Sequence, residues 1–125
     1  MAAGSVTGKA RGDWGEERVA EYLRERGCQI VAAKYRCRFG EIDLIAKDGD
    51  VLCFVEVKLR DRVDHGLPRE YVTKAKQRRL RTTAQFYLST HDPDAVCRFD
   101  VAEVYTDRTY SPAATRVVYL KNAFY

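Results

Sequence analysis

The chain has 125 residues, of which 46% are hydrophobic and 32% charged, which is the size and composition of one ordinary soluble domain. No apolar run approaches the roughly 20 residues that span a bilayer, and the small polar stretch at 1–12 lacks the apolar core of a secretory signal. The composition therefore excludes a membrane-spanning protein and favours a cytoplasmic one. We predict a flexible N-terminal arm at 1–12 and a single domain at 13–125.

The four cysteines form no C-x-x-C pair, which argues against a zinc knuckle or a thioredoxin-like motif. Free thiols in a cytoplasmic chain are the simplest interpretation.

The positive charge is concentrated in one segment. The net charge is +4, and the stretch from 69 to 81 holds six basic residues against one acid, Glu70. The basic residues are Arg69, Lys74, Lys76, Arg78, Arg79 and Arg81. Such a patch on an otherwise near-neutral body is typical of a phosphate-binding surface, although a solvated helix face would look the same.

The first predicted element is a helix from Asp13 to Arg26. Asp13 can cap its start and Gly27 supplies a stop signal. The predicted inward stripe consists of three apolar residues at helical spacing, Val19, Ala20 and Leu23. Glu16 shares this inward face, so it is either a capping-box residue or a carboxylate with a functional role.

Three predicted strands follow, at 29–36, 41–47 and 51–59, with Asp48-Gly49 as the hairpin turn between the last two. Alternation in the second strand places three residues on one face, Ile42, Leu44 and Ala46. In the third strand one face carries Val51, Cys53, Val55 and Val57. The opposite face carries Leu52, Phe54, Glu56 and Lys58.

A second long helix is predicted from Arg69 or Thr73 to about Ser89, followed by strands at 97–105 and 116–120. One face of this helix is basic, with Lys74, Arg78 and Arg81. Lys76 leans toward the apolar stripe, where it could reach substrate phosphates or cover apolar surface with its stem. The element order α-β-β-β-α-β-β indicates an α/β fold with a sheet of about five strands flanked by helices.

The hairpin brings two carboxylates together. With Lys47 opposite Asp50, Asp43 and Glu56 become diagonal neighbours, with backbones roughly 7–8 Å apart. Oxygen ligands at this separation suit one hard cation such as Mg²⁺. Lys58 lies two residues beyond Glu56 on the same face.

The predicted register also places Glu41 opposite Glu56. Like charges that lie opposite each other weaken a strand pair. A divalent cation would reverse this repulsion and could lower the pKa of a bound water beside a phosphate. The alternative is a hairpin whose charged face is exposed to solvent. Leu52 and Phe54 lie on that face and argue against it, because large apolar side chains are expected to be buried. The pattern therefore predicts a metal-dependent phosphodiester site.

The segments Gly40-Glu-Ile-Asp-Leu-Ile45 and Phe54-Val-Glu-Val-Lys58 resemble the core of the PD-(D/E)XK, restriction-endonuclease-like superfamily. The whole chain after the arm resembles the YraN-like family of predicted bacterial endonucleases. Further matching pieces are Gly15-Glu16, Tyr22-Leu23, Tyr35-Arg36, Gly66-Leu-Pro68, Val72-Thr73 with Lys76, and Arg98-Phe-Asp-Val101. The superfamily's nominal proline is Ile42 here.

The resemblance implies a restriction-endonuclease-like core with a central mixed sheet. It implies Asp43 and Glu56 as ligands of Mg²⁺ or Mn²⁺, and Lys58 as the catalytic lysine. Glu16 is similar to the first-helix glutamate of archaeal Holliday-junction resolvases, so the resemblance implies that it is a further catalytic residue beside Asp43, Glu56 and Lys58. The five basic residues Lys74, Lys76, Arg78, Arg79 and Arg81 are expected to bind nucleic acid.

We therefore expect a divalent-metal-dependent nuclease that acts on DNA rather than RNA, including branched or structured DNA. Resolvase-type action would need two sites, so a homodimer is one expectation. A catalytically inactive nucleic-acid-binding module on the same fold is the main alternative. An adaptor that uses the sheet edge is a third, which the charge concentration disfavours.

Overall fold

A computed structural model describes residues 8–61, 72–106 and 115–124. The elements in chain order are α1 (Gly8–Glu25), β1 (Gln29–Cys37), β2 (Gly40–Asp48), β3 (Val51–Asp61), α2 (Lys74–His91), β4 (Val96–Thr106) and β5 (Arg116–Phe124). The five strands form one mixed sheet in the order β1-β2-β3-β4-β5. The predicted α/β class, strand number and element order are confirmed.

The sheet is antiparallel except at its centre. β1, β2 and β3 form an antiparallel meander, β3 and β4 are parallel, and β5 returns antiparallel to β4. A parallel pair needs a crossover connection, and α2 lies within the one between β3 and β4. No helix within the described ranges is both long and apolar enough to cross a membrane.

Each face of the sheet carries its own apolar core. Between the sheet and α1 lie Val19, Ala20, Leu23, Leu44, Ala46, Cys53, Val55, Ala102 and Val104. Between the sheet and α2 lie Ile42, Ile45, Leu52, Phe54, Val72, Leu80, Ala84, Tyr87, Phe99 and Val101. The predicted stripe of α1 and the two predicted faces of β3 are confirmed, because successive side chains of a strand point to opposite faces of the sheet.

The first helix starts earlier than the sequence indicates. It begins at Gly8, so Asp13 lies inside it and the predicted cap at Asp13 is wrong. The Asp13 carboxylate instead accepts from Lys9 Nζ at 2.9 Å and pairs with Lys34 Nζ at 2.6 Å. Glu16 is then too far from the helix start to be a capping-box residue. Residues 8–12 of the predicted arm are helical, and 1–7 lie outside the described ranges.

The end of α1 agrees with the prediction. Gly27 adopts a φ of +85°, its N–H donates to Arg24 O at 3.0 Å, and Cys28 N–H donates to Leu23 O at 3.0 Å. This pair of bonds is the Schellman arrangement that glycine favours.

The hairpin between β2 and β3 has a different register from the predicted one. Asp48 pairs with Val51 and Lys47 with Leu52, so the turn is Gly49-Asp50. Gly49 has a φ of +60°, which suits the first turn position of a two-residue hairpin. The predicted pairing of Lys47 with Asp50 is therefore wrong by two residues, which leaves the side chains in the paired part of the two strands on their predicted faces.

Ile42 is the exception to the predicted faces. It packs with Ile45 in the α2-side core rather than with Leu44 and Ala46. The ladder between β2 and β3 ends at the pair of Leu44 with Val55, so Ile42 lies beyond the part of β2 that pairs with β3, although it still pairs with Tyr35 of β1. Simple alternation fails where the strand leaves its neighbour.

The second helix begins at the later of its two predicted starts. Thr73 is the cap, and its hydroxyl accepts from Lys76 N–H at 3.1 Å. The helix extends to His91, two residues beyond the predicted end. Arg69 lies outside the described residues.

Candidate functional site

A cavity of about 540 Å³ opens where β2 and β3 separate. Beyond the pair of Leu44 with Val55, the Asp43 carboxylate stands between the strands and accepts from Val57 N–H at 2.8 Å. The cavity is lined by Gly12, Gly15, Glu16, Gly40, Glu41, Asp43, Glu56, Val57, Lys58, Leu59, Lys76, Arg79, Leu80 and Thr83. Side chains from both helices therefore meet at this gap in the sheet.

Asp43 and Glu56 are in direct contact in this cavity. Burial, a hydrogen bond with Glu56 and the charge of Glu56 raise the pKa of Asp43 to about 8. The Val57 N–H opposes this shift, and the charge of Glu16 adds to it. Asp43 thus keeps its proton at neutral pH. A buried contact between two carboxyl groups is a poor arrangement for stability and a favourable one for holding a cation.

Two lysines compensate the charge of Glu56, whose residue surface is only 5% exposed. Lys76 forms an ion pair with it from the first turn of α2. Lys58 Nζ lies 3.9 Å from Glu56 Oε2, two residues along the same strand. The predicted inward tilt of Lys76 is confirmed, and its ammonium contacts the carboxylate rather than only covering apolar surface.

Glu16 enters the cavity from α1, with its side chain 14% exposed. Its Oε1 pairs with Lys34 Nζ at 2.8 Å, and the same ammonium pairs with Asp13. Hydrogen bonds to Asp13 and Glu16 raise the pKa of Lys34 to about 12. Lys34 has a φ of +54°, which is rare for a non-glycine residue and accompanies an irregular stretch of β1.

The sequence analysis missed Lys34 because its partners are distant in sequence and its backbone conformation follows no simple signal. A second missed feature is Gly40, whose φ is +148°. A Cβ on Gly40 would lie 3.0 Å from Thr83 Oγ1, so glycine allows the β1–β2 turn to approach α2 closely.

The predicted nucleic-acid-binding residues divide into two groups. Lys76 and Arg79 line the cavity, whereas Lys74 and Arg78 are exposed on α2 outside it. Arg81 is half-buried. The predicted catalytic residues Glu16, Asp43, Glu56 and Lys58, in contrast, all line the one cavity.

The donor set fits a divalent cation held by few protein ligands. Within the described ranges, no group of three or more His, Cys, Asp or Glu side chains is arranged to hold a metal ion. Asp43 and Glu56 supply two carboxylates whose repulsion a cation would relieve. Mg²⁺ is commonly bound by one or two carboxylates, with water and substrate oxygens completing its shell.

Residues 15–104 match the model of the uncharacterised protein family UPF0102. The chain belongs to this family. The matched stretch contains all four predicted catalytic residues and all of α2.

Relatives from several bacteria are similar over about three quarters of the chain or more. A UPF0102 protein of Pelotomaculum thermopropionicum is 43% identical over 117 residues, which is 93% of this chain and 96% of the relative. One from Chromohalobacter salexigens is 41% identical over 124 residues, covering 99% and 98%. Another from Lachnoclostridium phytofermentans is 48% identical over 95 residues, covering 74% and 80%.

Proposed function

We propose that this protein is a divalent-metal-dependent nuclease that hydrolyses phosphodiester bonds in DNA, including branched or structured DNA. The observation that carries the proposal is the contact between Asp43 and Glu56 in a cavity that also holds Lys58, Lys76 and Glu16. Two carboxyl groups, of which Asp43 has a raised pKa, lie there beside two amines, and such perturbed groups in a cavity are typical of catalytic sites.

Asp43 and Glu56 would hold the cation, Mg²⁺ or Mn²⁺, which when bound supplies an acidified water and charge stabilisation at a phosphate. Lys58 then lies beside the reacting centre, where its ammonium orients the water or neutralises phosphoryl oxygens. With a cation held there, Lys76 would no longer be needed as the counter-charge of Glu56 and would be available to a phosphate. Glu16 accepts hydrogen bonds at the α1 side of the cavity, held there by Lys34.

The resemblance to the PD-(D/E)XK superfamily supports the same assignment. Its two core motifs correspond to the ends of β2 and β3 that border the cavity, where Asp43, Glu56 and Lys58 lie. The exposed cations Lys74 and Arg78 on α2 support a polyanionic substrate. A cytoplasmic location and action as a homodimer belong to this proposal.

An inactive nucleic-acid-binding module is the second candidate. The ion pair between Lys76 and Glu56 favours it, because this pair neutralises the buried carboxylate without any metal. The two candidates differ in turnover and in metal binding at Asp43.

The test compares the native chain with the variants Asp43→Asn and Glu56→Gln in two assays. Calorimetry measures the binding of Mg²⁺ and Mn²⁺, and a cleavage assay uses duplex, flapped and four-way DNA. We expect each substitution to abolish metal binding and to reduce cleavage at least roughly a thousandfold, equivalent to about 4 kcal/mol of transition-state stabilisation. DNA binding should be retained or strengthened, because a negative charge near phosphate is removed.

Glu17→Gln is the matched control, since Glu17 is an exposed carboxylate on the outer side of α1. It should leave metal binding and cleavage unchanged. DNA binding by the native chain without metal binding or cleavage would favour the inactive module. Loss of folding together with all binding in Asp43→Asn would remove the catalytic assignment.

A further inference from the structure

An aromatic patch lies at the tip of the β1–β2 hairpin, next to the cavity. We call it the turn patch, and it consists of Arg38, Phe39 and Phe86. The Phe39 ring packs edge-on against Phe86 with centroids 5.7 Å apart, and the Arg38 guanidinium lies 4.8 Å from the Phe39 centroid. Phe39 is 36% exposed, one of few large apolar residues in the described ranges with this exposure.

The turn patch continues the wall of the cavity. Phe39 directly precedes Gly40, which lines the cavity and approaches Thr83 on α2. Phe86 lies one turn beyond Thr83 and two turns beyond Arg79, which also lines the cavity. A ligand that occupies the cavity with a phosphate would therefore extend past Arg79 onto the patch.

The three side chains have a chemistry suited to a nucleobase. An aromatic ring and a guanidinium plane are the two surfaces on which unstacked bases pack in nucleic-acid complexes. Arg38 adds a positive charge beside the Phe39 ring, where it can attract a phosphate of the same nucleic acid. The sheet core does not need this pair, because both Arg38 and Phe39 are exposed.

We propose that the turn patch stacks an unpaired nucleobase next to the phosphate held in the cavity. Bases of a continuous duplex stack on each other and cannot reach Phe39 without being displaced. The preferred substrate is therefore DNA with an unpaired nucleotide beside the cleaved bond, as in a flap, a branch or a single strand. The inference rests on the proposed function and assigns its substrate class.

The test measures binding in metal-free buffer, in an Asp43→Asn background so that no cleavage occurs. The probes are a short single-stranded DNA with one 2-aminopurine and the fully paired duplex of the same sequence. Phe39→Leu keeps an apolar side chain without a ring, and Phe39→Trp keeps a ring. We expect Phe39→Leu to weaken single-strand binding roughly tenfold and to abolish the stacking-dependent emission change. Phe39→Trp should retain both, and duplex affinity should not change.

An equal effect of Phe39→Leu on single strand and duplex, or no effect on either, would overturn the proposal. So would a failure of the native chain to bind the single strand. Thermal unfolding of each variant shows whether the fold is intact, and Phe39→Trp serves as the rescue. If stacking persists while the native chain, with Asp43 and Glu56 intact, binds no metal and cleaves no DNA, the nuclease function fails and the stacking role of the turn patch stands. If the native chain cleaves DNA but no stacking response is seen, the nuclease function stands and the stacking role of the turn patch fails.

Discussion

Asp43 is the residue at which stability and proposed chemistry conflict most directly. Its carboxyl group accepts from Val57 N–H, yet burial and Glu56 raise its pKa to about 8. A carboxyl group that keeps its proton in the folded state and loses it in the unfolded state destabilises the fold as pH rises. A bound cation would remove this cost.

The first prediction concerns the pH dependence of stability in the metal-free protein. Asp43 loses its proton near 3.8 when unfolded and near 8 when folded, so the unfolded state binds fewer protons between these values. The free energy of unfolding should therefore fall as pH rises through this window, by on the order of 2 kcal/mol, since the site is partly solvent-screened. Urea unfolding across the pH series measures the slope.

Asp43→Asn is the control for this slope, because the amide does not titrate in this range. The free energy of unfolding of Asp43→Asn should depend less on pH, and at about pH 8 it should be higher than that of the native chain. Saturating Mg²⁺ should also stabilise the native chain more at about pH 8 than at about pH 5, since the cation binds the deprotonated carboxylates. A native slope of the opposite sign would contradict the raised pKa.

Lys34 is the second residue whose role is electrostatic. Its ammonium bridges Asp13 and Glu16, and it is the positive charge that offsets Glu16 on the α1 side of the cavity. Lys34→Met should raise the pKa of Asp43 further, because the charge of Glu16 is then less compensated. Lys34→Arg should preserve the native value. Carbon-detected NMR titration of the carboxyl groups distinguishes this effect from a general loss of stability, and an unchanged Asp43 titration in Lys34→Met would refute it.

At the scale of elements, the gap between β2 and β3 and the placement of α2 create the cavity. The gap opens after Leu44 and Val55, and α2 brings Lys76 and Arg79 to one side of it. Lys74 and Arg78 occupy a different face of the same helix and remain exposed. The helix therefore presents one set of cations to the cavity and another to the solvent.

This division predicts which α2 residues control the salt dependence of DNA binding. Replacing Lys74 and Arg78 with Ala should lower the slope of log affinity against log salt by about 1.8, because each phosphate contact contributes about 0.9 on duplex DNA. Filter binding at several salt concentrations measures this slope. Lys47→Ala with Arg24→Ala removes the same charge from exposed positions outside α2 and should leave it unchanged. Equal slopes in both double variants would show that α2 does not contact phosphate.

At the scale of the whole molecule, a second charged network holds the sheet together away from the cavity. Asp100 is fully buried, and its carboxylate accepts from Arg98 Nε at 3.1 Å, Tyr119 Oη at 2.6 Å and Asn122 N–H at 2.8 Å. Arg98 also donates to Asp48 at 3.1 Å, which links β2, β4 and β5.

This network should control stability without affecting the proposed site. Asp100→Ala leaves Arg98 and Tyr119 without their buried acceptor and should lower the free energy of unfolding by roughly 3–5 kcal/mol. Chemical denaturation measures the loss, and calorimetry on the folded fraction should show unchanged Mg²⁺ affinity. A weakened metal affinity would mean that the sheet transmits the change to Asp43.

Much of the fold follows from local patterns. Alternation in β3 and helical spacing in α1 and α2 predicted which residues face the cores, because both patterns reflect burial on a fixed period. Glu16, Asp43, Glu56 and Lys58 were predicted as one cluster, and all four line one cavity. The start of α1 was missed because Asp13 resembles a cap but is used in ion pairs to Lys9 and Lys34.

The sequence by itself determined the order of the elements, the two buried faces of β3 and the acidic and basic residues of the site. Tertiary structure alone decided the register of the hairpin, since a slip of two residues leaves every side chain on the same face and is invisible to periodicity. It also decided that Lys34 pairs with Glu16 and Lys76 with Glu56. Those contacts join residues far apart in sequence, and only the packing of the helices on the sheet brings them together.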